Sequence, residues 1–272
     1  MAVIADKIAG FIRDSESARF DDLAAELLAY QTEHADGLHN HAEVQRSLVE
    51  LAVDKTFPRF CLVDLDQPPM LSLMAAEDEA TNYALSRWGA EDSLVAVSRD
   101  RIKAKEARGF MASRQRDGRP VVILATVPTL VQLVDSLERL GLRFRLPAGS
   151  VVVDRGQEPS EVETSESDSG ELVDRVELAL GIPAARVVRE LGLAETITPL
   201  YTSNLIGGSA DRFALPHWVQ ARILDPVSLE ELPAGQTGRV SLFDLATVSS
   251  PARVLTQLEG VVEHDGVRLA AL

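Results

Sequence analysis

An α/β domain carrying a C-terminal antiparallel β subdomain is the fold class that the sequence predicts. Two stretches carry most of that expectation. The first is a strand–helix–strand unit. Val121-Val122-Ile123-Leu124-Ala125 is a continuous apolar run of strand length, the pattern of a strand covered on both faces. Leu130, Leu133, Val134, Leu137 and Leu140 then recur at helical spacing, and Ser150-Val151-Val152-Val153-Asp154 is a second apolar run. A crossover of this length joins parallel strands, with a right-handed connection. The second is the change of grammar beyond Tyr201, where alternating runs around Trp218, Gly238 and Val261 are separated by the turns Asp225-Pro226, Pro233-Ala234-Gly235 and Asp265-Gly266. The expected division is an α/β domain over 1–205 and a β subdomain over 206–272.

The elements follow in order. Residues 18–33 read as a helix, with Phe20, Leu23, Leu27, Leu28 and Gln31 on one side and Asp21 and Asp22 in the first turn. Residues 33–41 form a loop, and Val44, Leu48 and Leu51 mark a second helix. Phe60-Cys61-Leu62-Val63 has the look of a buried strand ending at Asp64, followed by the turn-rich 66–69. Residues 77–88 are expected helical, 94–97 a short strand, and 99–116 a polar, Arg-rich helix stopped by Asp117-Gly118. Within the strand–helix–strand unit, Pro128 suits the first helical turn and Gly141 a left-handed C-cap. Residues 157–170 are acidic and small, with too little apolar surface to order themselves, and are expected to be a mobile surface loop. A helix over 171–180 leads to Arg186-Val187-Val188-Arg189-Glu190-Leu191, a β-type run that delivers Gly192 and Glu195 toward the rim of a sheet.

Composition narrows the functional classes. The 272 residues are 46% hydrophobic and carry a formal charge of −15, which argues against nucleic acid and anionic membranes as partners. No run has the apolar length of a membrane span, and the first residues lack the layout of a signal peptide, so the expected location is the cytoplasm. Cys61 is the single cysteine, so an intramolecular disulfide is excluded. Lysine is confined to positions 7, 55, 103 and 105, which denies any lysine chemistry to the later half of the chain.

Common catalytic motifs are absent: no Gly-x-Gly-x-x-Gly follows a strand, and there is no Walker-type loop and no Gly-x-Ser-x-Gly elbow. His34, His39 and His41 read as loop histidines rather than metal ligands, and His217 and His264 as structural or solvated groups. The carboxylates Asp154, Glu195, Asp225 and Asp244 each follow a β-type run. Acids gathered at one sheet edge suit Mg²⁺ or ribose hydroxyls, whereas a single Asp before Pro226 is also an ordinary turn opener.

Three segments taken together resemble one family. Gly118 to Leu124, continued by Leu133 to Arg139 and by Arg143-Phe144-Arg145-Leu146-Pro147-Ala148-Gly149-Ser150, is similar to the strand–helix–"RF-LPAGS" block of the acyl-protein synthetases of the bacterial luminescence type, within the adenylate-forming ligase superfamily. Leu180-Gly181-Ile182-Pro183 leading to Leu191-Gly192-Leu193-Ala194-Glu195 and Tyr201 resembles its Tyr-Gly-Met-Thr-Glu motif. Pro216-His217-Trp218 through Asp225-Pro226 and Gly238 to Phe243-Asp244-Leu245-Ala246, then Val254 to Gln257, resembles its Trp-x-x-x-Arg-x-x-Asp-Pro block and terminal Asp-Leu-Ala segment.

The resemblance implies the large N-terminal domain of an adenylate-forming enzyme, which uses ATP and Mg²⁺ to activate a carboxylic acid and passes the acyl group to a thiol. Glu195 then matches the metal-binding carboxylate, with Gly192, Ala194, Thr196, Asp154, Arg155, Gly156, Tyr201, Asp225 and Asp244 as candidate substrate- or nucleotide-binding positions. The sequence also departs from the pattern. Leu191 and Ala194 replace the aromatic and hydroxyl residues of the motif. Arg155-Gly156 stands where a Gly-Gly-Phe-Lys-Gly-like segment is expected, and Leu258 where a ribose-anchoring Asp is expected. No Ser/Thr/Gly-rich phosphate loop lies between residues 1 and 120, and neither a lysine-bearing lid domain nor an acyl-accepting cysteine near the C-terminus is found. The expectation is a truncated, motif-degenerate relative that binds an acyl or aryl carboxylate or its thioester, with an acyl reductase, an acyltransferase or a carrier protein as partner. The alternatives are a working acyl-activating ligase and a repurposed enzyme with Glu195 as general base.

Overall fold

The structure is a computed structural model that describes residues 1–35, 42–75, 79–98, 101–156, 166–264 and 266–270. Its helices are α1 (Ala2–Arg13), α2 (Phe20–Glu33), α3 (Ala42–Cys61), α4 (Glu79–Trp88), α5 (Ala104–Asp117), α6 (Val127–Arg139) and α7 (Glu166–Leu180). The first eight strands are β1 (Met70–Ser72), β2 (Leu94–Val95), β3 (Val97–Ser98), β4 (Arg101–Ile102), β5 (Val122–Ala125), β6 (Val151–Gly156), β7 (Val187–Leu191) and β8 (Leu200–Tyr201). The last five are β9 (Arg212–Ala214), β10 (Val219–Leu224), β11 (Gly238–Asp244), β12 (Arg253–Glu263) and β13 (Gly266–Leu269). Contacts divide the chain into two compact units: Met1–Pro58 with Leu191–Thr202 and Asp211–Leu272, and Arg59–Glu190 with Ser203–Ala210. The division therefore falls elsewhere than at 205/206, and the N-terminal helices belong with the antiparallel sheet.

The second unit holds the parallel sheet. β1 pairs in parallel with both β2 and β5, and β5 with β6, in the order β2-β1-β5-β6-β7. Every residue of β5 is fully buried, because helices cover both faces of such a sheet and only a run without polar residues can lie there. Burying each of those larger aliphatic side chains contributes about 1.5–3 kcal/mol. Thr126 caps α6 by accepting from the Thr129 backbone N–H, while the Thr129 hydroxyl oxygen accepts from the Thr126 backbone N–H. Pro128 lies in the first turn, and Gly141 ends the helix at φ 62°. Leu130, Leu133, Val134 and Leu137 enter the core, whereas Leu140 is exposed.

The first unit is a five-stranded antiparallel sheet, in the order β10-β11-β12-β13-β9, with α1, α2 and most of α3. Ile4, Ile8, Phe11 and Ile12 of α1 recur at helical spacing and join Leu23, Leu27, Trp218, Phe243 and Leu258 in one core.

Several expectations are corrected. Phe60 and Cys61 end the helix α3 rather than forming a strand, and the strand of this region is Met70–Ser72, just past the prolines. The Arg-rich helix starts at Ala104, since Arg101–Ile102 pairs with Val97–Ser98 as a small antiparallel ladder. α7 starts at Glu166, inside the stretch expected to be loop, while residues 157–165 lie outside the described residues. His39, His41 and the hairpin residue Asp265 also lie outside them, although Glu263 pairs with Gly266 as a two-residue hairpin requires. Among the described residues no helix is long and apolar enough to cross a membrane.

Candidate functional site

The predicted site residues fall into three groups. The first occupies the last residues of β6 in the second unit. Arg155 is held by Glu190 of β7 in a two-point ion pair, Nε to Oε2 at 2.9 Å and Nη2 to Oε1 at 2.8 Å. Its Nη1 donates to the Thr81 hydroxyl at 2.8 Å. Glu190 is buried and the Arg155 side chain is only 15% exposed, so this fork is a charge pair removed from water rather than a surface contact. Gly156 runs so close to the Glu190 carbonyl that an added Cβ would stand 3.2 Å from it, which explains a glycine here.

Asp154 stands beside the pair. Its Oδ1 is shielded from solvent and has no hydrogen-bond partner among the described residues. Burial pushes its carboxyl up to about 6; Arg189 pulls it down and Glu190 adds to the rise. The Cys61 thiol is also pushed well up by burial, reinforced by the Glu190 carboxylate and opposed by Arg155, so it stays protonated and inert as a nucleophile.

The second group is the segment 191–201 of the first unit. Leu191, Leu193 and Leu200 anchor it in the core, and Tyr201 is buried with its ring edge-on to Phe57 at 6.3 Å. Between these anchors Ala194 and Glu195 form an exposed turn, with the Thr196 N–H donating to the Leu193 carbonyl at 3.2 Å. Gly192 takes no left-handed conformation, and the turn lies two residues later. Thr196 is half-buried.

Asp244 belongs to this segment more than to any open surface. It is fully buried. It accepts from the Ile197 N–H (3.1 Å), the Thr198 N–H (2.8 Å), the Thr198 hydroxyl (2.9 Å), the Ala246 N–H (2.9 Å) and the Thr247 hydroxyl (3.2 Å). Burial pushes its carboxyl up and these donors pull it down. The Trp218 indole donates to the Thr198 hydroxyl at 2.9 Å, extending the network. Asp244 thus fixes the far side of the turn that carries Glu195. Next to it, buried Gln31 and Gln45 bind the 246–252 turn: Gln45 donates to the Ala246 carbonyl and accepts from Val248 and Ser249, and Gln31 accepts from Ala252.

Asp225 is the third group, alone. Its Oδ1 accepts from the Val227 and Ser228 N–H groups, both at 2.8 Å, and these bonds hold its carboxyl below the usual range. The idea of acids gathered at one sheet edge is corrected for this pair. Val219 pairs with Asp244 and Leu224 with Arg239, so Asp225 and Asp244 stand at opposite ends of the β10–β11 ladder. That separation is about 20 Å at the rise of a strand. Leu258 is buried in the core of the first unit.

The fold has counterparts among known proteins. Over 82% of the chain the structure superposes on a long-chain-fatty-acid-CoA ligase from Archaeoglobus fulgidus, with a TM-score of 0.55 and 9% identity, covering 46% of that protein. The fold is the adenylate-forming one. A 2-hydroxyisobutyryl-CoA ligase, solved with an acyl-adenylate and CoA, superposes over the same share with a TM-score of 0.58 and 14% identity, covering 47% of its chain. ATP-bound MatB from Rhodopseudomonas palustris gives 0.55, with 14% identity and 42% of its chain covered. In sequence, a stretch of 55 residues is 46% identical to the long-chain-fatty-acid–luciferin-component ligase of Vibrio harveyi, covering 20% of this chain and 15% of that protein. The chain thus spans less than half the length of these adenylate-forming ligases. No protein-family model matches it.

Sequence reasoning passed over Glu190, Thr81, Gln31 and Gln45 as site or clamp residues. Glu190 had a signal: a carboxylate between Val188 and Leu191 in a buried β-run needs a partner of opposite charge. Thr81 had none, since its role depends on where α4 packs. Among the described residues no cluster of three or more His, Cys, Asp or Glu side chains is arranged to hold a metal.

Proposed function

We propose that this chain is an acyl-protein-synthetase-like domain that binds an acyl or aryl carboxylate, or its thioester, as a binding or complex-forming subunit with weakened use of ATP. The observation that carries the proposal is the Arg155–Glu190 fork. Open α/β sheets bind ligands at the carboxyl ends of their strands, and Arg155 is the cation that β6 brings to that end. A triphosphate needs cations whose charge is still free, and this one is already neutralised by a buried carboxylate and tied to Thr81. Two further observations support the reading. Asp244 has its oxygens occupied by five donors from its own fold, and Leu258, at the ribose-anchoring position implied by the family resemblance, is part of a hydrophobic core. Among the described residues, Arg155, Asp244 and Leu258 are therefore ill suited to hold ATP–Mg²⁺. An acyl reductase, an acyltransferase or a carrier protein is the kind of partner this reading implies.

A second reading is favoured by Glu195. It is exposed at the tip of a turn fixed by Asp244, the place expected of a carboxylate that meets a metal ion in a working acyl-activating enzyme. Thermal melting of the full chain with ATP–Mg²⁺, AMP, a series of fatty and aromatic acids and their CoA thioesters separates the two. The first reading predicts that an acid or thioester raises the melting temperature while nucleotide leaves it unchanged. A shift with ATP–Mg²⁺ that disappears in Glu195→Ala supports the second reading instead.

A further inference from the structure

Charge is strongly segregated in this chain. Residues 101–145 carry ten Lys and Arg against four Asp and Glu, a net of +6, in a protein whose total is −15. The remainder therefore carries −21. The structure brings these cations together in the second unit. The Ile102 N–H donates to Gln132 Oε1, Arg108 donates to the Ser136 hydroxyl, and the Arg145 N–H donates to Gln115 Oε1. These bonds lay β4, α5, α6 and the loop after α6 side by side.

The acids of this surface neutralise it only in part: Asp174 and Glu177 of α7 line a cleft with Arg143 and Arg145, while those around β4, α5 and α6 are engaged elsewhere. Asp135 and Glu138 of α6 are both taken by Arg175 of α7, which holds the Glu138 carboxyl below the usual range. Asp117 is paired with buried Arg114, and Glu106 with Lys103. Arg101, Lys105, Arg108, Arg116, Arg139, Arg143 and Arg145 have no carboxylate within 4 Å among the described residues. Arg116 and Arg139 donate to backbone carbonyls of their own helices, which leaves their charge uncompensated. Lys105, Arg108 and Arg116 are spaced to share one stripe of α5. Between β4 and α6 an open cleft of about 650 Å³ is lined by Arg101, Gln132, Ser136 and Arg139, together with Asp135 and Glu138, whose charges Arg175 already holds.

We infer that this face is a docking surface for an acidic polypeptide segment of a partner protein, with a carboxylate side chain seated in the cleft beside Arg101 and Arg139. Seven such cations on adjoining elements steer an acidic partner and fix its register, because mutual attraction acts before contact and like-charged competitors are repelled. A compact segment is the occupant that fits. Charges separated by more than roughly 10 Å are screened at 0.1 M salt, so a short acidic segment responds to the cations nearest it rather than to the net charge of the molecule. An extended nucleic acid runs off α5, whose 14 residues span about 20 Å, onto a molecule that is elsewhere strongly negative.

The test is fluorescence anisotropy of a short labelled oligoglutamate with the full chain at low salt. A single-stranded oligonucleotide of equal charge serves as competitor probe. Lys105→Glu, Arg116→Glu and Arg139→Glu together are expected to weaken oligoglutamate binding by about tenfold or more. The matching Gln substitutions are expected to give an intermediate loss, and circular dichroism to stay native in both. Reversal of Arg222, Arg253 and Arg268 in the first unit is expected to change nothing. Equal loss in that control, no loss in the first set, or tighter binding of the oligonucleotide overturns the proposal.

Discussion

Asp244 is fully buried and Asp154 half-buried with its Oδ1 shielded, and their surroundings give them opposite consequences. Asp244 is met by five donors, so Asp244→Ala leaves several buried N–H and O–H groups without an acceptor. The expected cost is about 3–4 kcal/mol, read by urea unfolding through Trp218, whose indole is part of the same network. A loss under about 1 kcal/mol contradicts the clamp. Asp154 is instead short of partners, and burial raises its carboxyl from 3.8 to about 6. A raised folded value means that its contribution to stability is fully present below about pH 4 and is lost as pH climbs through 6. The loss has an upper bound of about 3 kcal/mol, less where the side chain meets solvent. Asp154→Asn is therefore expected to be more stable than the parent chain at about pH 8 and level with it near pH 4; a difference independent of pH argues against the assignment. Individual roles such as these were hardly legible in the sequence. An Asp after a β-run reads the same whether five donors surround it, as at Asp244, or it folds back on its own turn, as at Asp225. What decides is the tertiary company it keeps.

At the scale of elements, the end of β6 and β7 is held by one buried ion pair. Removing one partner leaves the other charge in a low-dielectric site, so Arg155→Ala is expected to destabilise the chain by about 3–5 kcal/mol. Arg155→Met combined with Glu190→Leu is expected to recover most of that loss, because apolar groups of similar volume carry no desolvation cost. A double variant as unstable as the single one shows that the pair acts through more than its charges. The strand–helix–strand unit was readable: α6, with Pro128 in its first turn and Gly141 at its end, and the flanking strands β5 and β6 all fall within a residue or two of expectation. Phe60-Cys61-Leu62-Val63 misled because a short apolar run has no period of its own and serves equally well as the last turn of a buried helix. α1 was not anticipated, although Ile4, Ile8, Phe11 and Ile12 recur at helical spacing, the stripe of a core helix.

For the whole molecule, fold class was legible and function only in outline. Alternation of apolar strands and an amphipathic helix requires a parallel sheet, and the turn-separated runs after Tyr201 require an antiparallel one, so both layers follow from pattern alone. The division into units did not follow, because the contacts that attach the N-terminal helices to the C-terminal sheet join residues about two hundred positions apart, as the Gln45 clamp on Ala246 does. The central claim is that the acyl group is bound without strong recognition of a nucleotide. Calorimetry with a fatty or aromatic acid and with its non-hydrolysable acyl-sulfamoyl adenosine mimic tests it most directly. A working adenylating site gathers binding energy from acyl, ribose and phosphate contacts together, so there the mimic binds far tighter than the acid. The account predicts that the two bind within about threefold of each other, a difference under about 1 kcal/mol. A mimic bound about a hundredfold tighter or more, with the gain lost in Glu195→Ala, contradicts it.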